Sequence, residues 1–512
     1  MVENSRTENV AKNIAWGYIA NVVTMLLSFV SRTIFIYTIG SYYLGINGLF
    51  TNVLGILSFT ELGIGNVMNY SLYKPLATND TEKLKSLMKV YKKAYRIVML
   101  VVAVIGIAII PFLPYMIKGA KNVQHIYIYY CIFLFNTVSS YMVSYKCGLI
   151  NAAQKGYILN NINMVVNIIT VVVQSIALLI FQNYLVYLVV QSGFQLIQRG
   201  ITSVYIDRVF PFLREKEAEK LPKEEVEVLK ENVEAMVYHK IGDVCVNQTD
   251  NIIVSSFINV TVTGMLSNYT LITSSINKIV LVVFNSFVAG LGNFVVTESK
   301  KRKKEIFKVY NFMAFWIYSV ISVELIVLIQ SLVKLWAGEK NMIDTLTAGL
   351  IVLEVYLSGL RLAAANFKTA CGIFNADKYI GIVQAVVNLT ISIVLAKLIG
   401  LPGVFIGTVA QGMVDTIWRP RLIYKLIFDE SPKEYYFVWI KYLCLMLLMA
   451  FVSNTWACRI LSNCSILNII LVGCLVLITT NLFLWLLLRN TEEFKYLFSK
   501  VKALACKIIK RT

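Results

Sequence analysis

The chain is dominated by apolar stretches that follow one another along almost its whole length, each long enough for a helix to cross a lipid bilayer. Such a helix needs about 20 mainly apolar residues. The sequence therefore predicts an all-α integral membrane protein with about 14 transmembrane helices. Their approximate bounds are residues 14–38, 44–73, 95–117, 125–150, 158–181, 184–206, 236–258, 263–297, 309–334, 346–374, 380–399, 402–424, 436–460 and 465–488.

The charge of the chain is unusual for so apolar a sequence. Hydrophobic residues make up 57% and charged residues only 15%, against about 25% charged in soluble domains, so a soluble protein is excluded. The formal net charge is nevertheless +19. In a soluble chain that value would suggest nucleic-acid binding. Here the basic residues instead indicate how the chain is oriented in the membrane, and we expect no nucleic-acid ligand.

The basic residues lie in alternate loops. Residues 74–96 are strongly basic, residues 299–304 read SKKRKK, and the chain ends in KIIKRT, whereas the intervening loops are short and nearly uncharged. Basic loops are retained on the cytoplasmic side of a membrane. This pattern predicts a multi-pass membrane protein with both termini in the cytoplasm. The N-terminus has no small-residue cleavage site, so we expect no processing.

The sequence contains none of the common motifs of catalysis or cofactor binding. The sequence has no P-loop, dinucleotide-binding fingerprint or nucleophile elbow, and its nine cysteines show no metal-ligand spacing. The cysteines are expected to be small buried hydrophobes, with Cys458 and Cys464 as one alternative pair. The longest segment between spans, 207–235, is too small for a catalytic domain. We therefore expect that the protein is not an enzyme and that it binds no metal or cofactor. The sequence does not distinguish H⁺ from Na⁺ as a coupling ion.

The sequence contains an internal repeat with an offset of 220 to 227 residues. CGLINAAQKGY at 147–157 matches CGIFNADKY at 371–379, and each precedes a VVN tripeptide. GIGN at 63–66 matches GLGN at 290–293, and a Gln followed eight residues later by Arg recurs at 191 and 411. Two six-helix copies of the same orientation are typical of transporters that rock between two states. We predict an N-lobe at 1–206, a charged linker at 207–235, a C-lobe at 236–426, and two more helices with a basic tail at 427–512.

Ionisable residues inside the spans are the candidate functional groups, because charges at bilayer depth usually face a wet cavity. The candidate cations are Arg32, Lys278 and Arg361, and the candidate acidic or ion-coupling residues are Glu61, Asp243 and Asp250. Polar residues recur beside them at helical spacing. We predict that the first two helices of each repeat face one another across a central cavity. Its polar lining would be Asn21, Ser28, Asn47, Thr51, Asn247 and Asn285.

Each charged candidate also has a structural interpretation. Arg32 lies near a helix end and its charge can reach the interface along its aliphatic stem. Arg361 is one helical repeat from Glu354 and can form an ion pair with it. Asp243 and Asp250 can cap or hydrogen-bond neighbouring helices.

Several stretches of the chain resemble the bacterial polysaccharide-export flippases. These stretches are SRTIFIYTIGSYYLGINGLFTNVLGILSFTELGIGNVMNYSLYKPLA at 31–77, YHKIGDVCVNQTDNIIVSSF at 238–257, TGMLSNYTLI at 263–272 and CGIFNADKY. The family comprises the Wzx-type proteins for O-antigen, capsule and teichoic-acid repeat units, within the superfamily that also holds multidrug exporters and the lipid II flippase. The resemblance covers nearly the full chain, and its first stretch is the most specific.

The resemblance implies two six-helix lobes with two extra helices. It also implies movement of an undecaprenyl-diphosphate-linked oligosaccharide from the cytoplasmic to the outer leaflet of the bacterial plasma membrane. Its partners would be membrane lipids and other polysaccharide-assembly proteins. The cationic residues would then attract the diphosphate or acidic sugars. Two alternatives stay open: an exporter of organic cations from the same superfamily, and a membrane glycan polymerase or ligase.

Overall fold

The computed structural model describes residues 6–57, 61, 64–118, 125–215, 219, 221–231, 233, 248–371, 373, 376, 379–461 and 465–509. Side chains of residues 6–15, 66, 283, 285–290, 292–294, 296–297 and 501–509 lie outside that description. The described residues form helices and turns and contain no strand. The predicted all-α class is therefore confirmed.

The chain divides into two compact units, Met1–Gly264 and Met265–Thr512. The first unit contains helices α1 to α7, with bounds Arg6–Thr38, Gly40–Leu57, Ile64–Thr78, Thr81–Ile109, Ile126–Ala152, Gly156–Phe181 and Tyr184–Val209. Helix α8, Val260–Thr297, begins in the first unit and continues in the second. Helices α9 to α15 follow, with bounds Lys300–Ala337, Thr345–Ala370, Ile380–Ile399, Leu401–Ile423, Lys433–Leu461, Ile466–Leu488 and Glu492–Ile509. The predicted boundaries of the lobes and linker stay a prediction.

Local sequence explains where many of these helices begin and end. Asp80, Asn183 and Asp344 each accept a hydrogen bond from a backbone N–H in the first turn of α4, α7 and α10. Such caps satisfy donors that have no partner inside the helix. Gly338 and Gly400 follow α9 and α11 with φ of 90° and 75°, a region that glycine adopts without steric cost.

Nine helices of the described residues are long and apolar enough to cross a membrane. They correspond to nine of the predicted windows. Three of the remaining windows are also helical. They are α7 and α12, which carry more polar residues, and α8, several of whose side chains lie outside the described residues. Window 44–73 contains two helices, α2 and α3, instead of one, and most of window 236–258 lies outside the described residues. The chain is thus a multi-pass membrane protein, and its more polar helices do not meet a criterion based on apolarity alone.

Residues 248–264 pack on α2 through small residues. A Cβ atom added at Gly45 would lie 1.8 Å from the Val260 carbonyl oxygen, and one added at Gly264 would lie 1.9 Å from the Ser41 carbonyl oxygen. Glycine is therefore required on both sides of this contact. Nearby, the Asn251 side chain donates to Asn52 Oδ1 at 3.2 Å.

We expect Gly45→Ala to destabilise the first unit, because its methyl group meets backbone that cannot move aside. Overpacking of this kind costs about 1–3 kcal/mol. Gly200→Ala is the matched control, since nothing lies within 4 Å of that position and alanine favours a helix by about 0.5–1 kcal/mol. Thermal unfolding of the purified protein distinguishes them, and equal stability of the two variants contradicts the contact.

An ion pair joins α5 to α7. The Lys146 ammonium donates to Asp207 Oδ1 at 2.6 Å, to Asp207 Oδ2 at 2.7 Å and to Ser203 Oγ at 2.7 Å. The side chains of Lys146 and Asp207 are only 11% and 22% exposed. Three oxygen acceptors therefore satisfy the three donors of the ammonium group.

Removal of one partner leaves a charge without compensation in a largely desolvated place, which is strongly destabilising. We expect Lys146→Met and Asp207→Leu each to lower the unfolding temperature, and the double variant to be more stable than their summed effects. The expected coupling is about 0.5–3 kcal/mol. A double-mutant cycle by thermal unfolding measures it, and additive effects would mean that the pair contributes nothing.

Candidate functional site

A polar cavity of about 580 Å³ lies inside the first unit. Its polar lining comes mainly from one face each of α1, α6 and α7. These faces consist of Asn21, Thr24, Ser28 and Arg32 on α1, Asn160, Asn163, Asn167, Thr170 and Gln174 on α6, and Tyr187, Gln191, Gln195 and Gln198 on α7. Helix α2 adds Leu44 and Asn47.

Helical periodicity explains these faces. Residues three and four apart project from the same side of a helix, and the polar residues of each helix follow that spacing. At a rise of 1.5 Å per residue, the face of α6 from Asn160 to Gln174 is about 21 Å long. The cavity is therefore an elongated groove, comparable in volume with ligand sites of about 300–1,000 Å³.

The hydroxyl and carboxamide groups of the lining differ in their hydrogen bonds. The Ser28 and Thr170 hydroxyls donate back to carbonyl oxygens of their own helices, each at 2.7 Å. In contrast, within the described part of the structure no hydrogen bond holds the side chains of Asn160, Asn167 and Gln191. These carboxamides are available to a ligand.

Arg32 lies toward one end of this cavity, near two aromatic residues. Phe35 and Tyr187 also line the cavity, and their rings meet edge to face with centroids 5.0 Å apart. The Arg32 guanidinium is the only charged group among the described lining residues. The cavity therefore favours an anion over a cation.

A second cavity of about 590 Å³ adjoins the first, because Asn163, Gln195 and Gln198 line both. Gln198 Nε2 donates to Asn163 Oδ1 where the two meet. The remaining polar lining of the second cavity is Glu61, Asn69, Tyr91, Tyr95, Ser140, Ser144, Asn151, Arg199 and Thr202. Together the cavities form one polar column inside the first unit.

Glu61 belongs to a tyrosine cluster in the second cavity. The Tyr95 hydroxyl donates to Glu61 Oε1, and the Tyr91 and Tyr95 rings meet at 5.1 Å. Gly148 allows this approach, since a Cβ atom there would lie 2.6 Å from the Tyr91 hydroxyl oxygen. The carboxylate is therefore held by the protein and its position is defined.

Arg199 is a cavity residue that sequence reasoning missed. It was noted only as a marker of the repeat, yet it lines the second cavity. Its guanidinium donates to Ser139 Oγ and to Gln195 Oε1. The carboxamides of α6 and α7 were missed as well. Their spacing of three and four residues was the available signal.

The structure places the predicted residues in several different positions. Asn21, Ser28, Arg32 and Asn47 line the first cavity, and Glu61 lines the second. Thr51 lines neither, and its hydroxyl donates to the Asn47 carbonyl oxygen at 2.7 Å. Lys278 is exposed on α8, and Asp250 begins the short helix Asp250–Ile253. Asp243 and Asn247 lie outside the described residues, as does the side chain of Asn285.

Arg361 forms the ion pair that was its alternative interpretation. Its Nη2 donates to Glu354 Oε1 within α10, and the two side chains are 12% and 18% exposed. A Cβ atom at Gly412 would lie 2.1 Å from Arg361 Nη1, so the guanidinium also packs closely on α12. Because Glu354 neutralises this charge, Arg361 is a weaker candidate than Arg32 for binding an anion.

The polar face of α1 was expected to meet those of the other helices that begin the repeats. Inside the first unit it shares a cavity with Asn47 of α2, as expected, and also with α6 and α7, which were not expected. The reason is tertiary packing, which helical periodicity alone does not determine. Among the described residues, no group of three or more His, Cys, Asp or Glu is arranged to hold a metal ion.

Solved structures show the same fold. A lipid II flippase, MurJ, in an inward closed conformation matches with a TM-score of 0.62 at 14% identity, over 93% of this chain and 100% of that one. An inward-facing MATE family transporter of the MOP superfamily matches with a TM-score of 0.58 at 14% identity, over 80% of this chain and 96% of that one. The MATE transporter VcmN of Vibrio cholerae in its bent form has a TM-score of 0.53 at 13% identity, with coverages of 83% and 98%. At these identities the likeness establishes the fold alone.

Sequence comparison identifies the family. No curated protein matches this chain. The model of the polysaccharide biosynthesis protein family, however, matches residues 10–289, which is more than half of the sequence and includes α1 to α7. This match confirms the resemblance to polysaccharide-export flippases. The chain belongs to the polysaccharide biosynthesis protein family.

Proposed function

We propose that the protein is a flippase that moves undecaprenyl-diphosphate-linked oligosaccharide repeat units from the cytoplasmic to the outer leaflet. The exported units would serve the synthesis of a surface polysaccharide such as O-antigen or capsule. The observation that carries the proposal is the polar column of the first unit, which contains Arg32 and Arg199 in a protein of the polysaccharide biosynthesis family. An anionic, hydroxyl-rich head group matches this lining.

The lining also explains how such a substrate is held within a membrane. Sugar hydroxyls and a diphosphate cannot enter hydrocarbon without polar partners, since a desolvated polar group without a hydrogen bond costs several kcal/mol. Carboxamides supply both donors and acceptors, and guanidinium groups bind phosphate through paired N–H groups. The polyprenyl chain has no such need and stays in the bilayer.

Transport in this proposal follows alternating access between the two repeats. The sequence has no nucleotide-binding motif, so an ion gradient, the membrane potential or mass action would supply the energy. Glu61 and Asp250 are the described candidates for coupling to H⁺ or Na⁺, and Lys278 is a further candidate for contact with the anionic group. Both termini are proposed to lie in the cytoplasm, with membrane lipids and other polysaccharide-assembly proteins as partners.

An exporter of organic cations is the second candidate. The observation in its favour is the Glu61 carboxylate in the second cavity, combined with a fold that MATE transporters share. Against it, no carboxylate lies among the described residues of the first, amide-lined cavity, and Arg32 repels cations. A glycan polymerase or ligase would need a catalytic loop on the outer face, where the predicted loops are about a dozen residues or shorter.

We expect Arg32→Ala to reduce export of the glycan. Loss of a charge-assisted hydrogen bond costs about 1.5–3 kcal/mol, which corresponds to roughly 10- to 100-fold weaker binding of the anionic group. The measurement is the amount of surface glycan, together with lipid-linked repeat units retained on the cytoplasmic leaflet. Lys278→Ala is tested in parallel, and Arg32→Lys should retain part of the activity because it keeps the charge.

The matched control is Arg489→Ala, which removes an arginine that packs on Trp485 in the second unit. It should export normally. Normal surface glycan from stable Arg32→Ala and Lys278→Ala proteins would refute the role of these cations. Accumulation of an organic cation in the deletion strain, with unchanged surface glycan, would favour the exporter instead.

The membrane orientation is tested by cysteine labelling in a variant whose nine native cysteines are replaced by alanine or serine, because Cys131, Cys444, Cys458 and Cys474 are exposed. Lys340→Cys, in the turn after α9, should react with a membrane-impermeant thiol reagent added to intact cells. Lys301→Cys, at the basic start of α9, should react only after permeabilisation. Both positions are exposed, so accessibility within the protein does not limit labelling. The opposite pattern would reverse the proposed topology.

A further inference from the structure

The first cavity, lined by α1, α6 and α7, is an amide-lined groove with an unusual balance of charge and hydrogen-bonding groups. Nine carboxamide residues line it against a single cation: Asn21, Asn47, Asn160, Asn163, Asn167, Gln174, Gln191, Gln195 and Gln198, with Arg32. No carboxylate occurs among its described lining residues. The described lining of the groove is therefore highly polar but almost uncharged.

Carboxamides suit a particular kind of ligand. Each carries two N–H donors and one carbonyl acceptor, so a row of them can meet groups that both donate and accept. Sugar hydroxyls and acetamido groups have this property. Phosphates, sulfates and carboxylates only accept, and proteins meet several of them with several Arg or Lys residues.

We propose that this groove is the binding site for the sugars of the repeat unit, and that these sugars are hydroxyl- and acetamido-rich with at most one acidic group per repeat unit. The inference rests on the proposed flippase function and narrows its substrate class. With the diphosphate bound at Arg199 in the adjoining cavity, Arg32 provides for one anionic group of the sugars. A second or third acidic sugar would lie against carboxamides and lose its hydration without gaining a cation.

The geometry supports binding along the groove rather than at one point. Asn160 and Asn167 lie two helical turns apart on α6, about 10 Å along the axis, and Gln191 faces the same space from α7. No described residue hydrogen-bonds these three side chains. Two adjacent helices thus offer free amide groups to successive sugars.

The first test is the composition of the glycan itself. Surface glycan is isolated from a strain with the gene deleted and from the same strain with the full chain restored, and acidic groups per repeat unit are counted by composition analysis and NMR. We expect none or one. Two or more acidic groups in a glycan whose export depends on this chain would overturn the inference while leaving the flippase function intact. A glycan unchanged by deletion would instead overturn the proposed function.

The second test removes the amides. The double variant Asn167→Leu/Gln191→Leu keeps the approximate volume but loses its hydrogen bonds, and we expect export to fall about 5- to 50-fold. Asn454→Leu, an exposed amide on α13, is the control and should export normally. If the double variant is unstable, Asn167→Ala and Gln191→Ala replace it. Stable variants that export at the wild-type rate would refute binding of the glycan by this amide surface.

Discussion

Every polar side chain within a membrane must find a partner, and this constraint determines which helices of the protein can line a cavity. In hydrocarbon no water is available to satisfy a donor or acceptor. The chain meets the constraint in two ways. The Ser28 hydroxyl of α1 and the Thr170 hydroxyl of α6 donate to their own helix backbones, whereas the carboxamides of α6 and α7 face a shared groove. The groove therefore gathers the groups that no helix satisfies internally.

Corresponding helix pairs in the two repeats differ in how closely they pack. In the second unit, α11 and α12 pack closely because α12 carries Gly403 and Gly407, where a Cβ atom would lie 2.3 Å and 2.1 Å from atoms of α11. At the repeat offset of 220 residues, the counterpart of Gly407 is Tyr187 on α7. A tyrosine cannot accept so close an approach. The first repeat is thus held open at the position where the second is closed.

The arginines diverge in the same way. Arg419 on α12 pairs with Asp415 at 2.7 Å, one turn earlier on the same helix. The counterparts in the first repeat are Arg199 and Gln195, so a neutral amide replaces the carboxylate and Arg199 keeps its charge in the second cavity. The difference at this one position, Asp415 in the second repeat and Gln195 in the first, decides whether the following arginine forms an ion pair on its own helix or faces a cavity.

Sequence reasoning predicted the fold class, the repeat and the polar face of α1, because each depends on periodicity along one segment. It did not predict which helices that face would meet, because packing between segments far apart in sequence decides this. Arg361 illustrates the difference. Its spacing from Glu354 allowed either a cavity or an ion pair, and only its approach to α12 and the Glu354 contact distinguish them.

The helix that contributes most to one wall of the groove is also one that a hydropathy criterion overlooks. Helix α7 has the length of a span, yet Gln191, Gln195, Gln198 and Arg199 lower its apolarity, and it falls outside the nine apolar helices of the described chain. Such a helix is stable in a membrane only if its polar face is covered by protein or water. Helix α12 has the same weak hydropathy signal, and there Asp415 and Arg419 pair with each other. A weak signal between two strong spans therefore indicates a polar face that protein or water must cover, and for α7 that face lines the cavity.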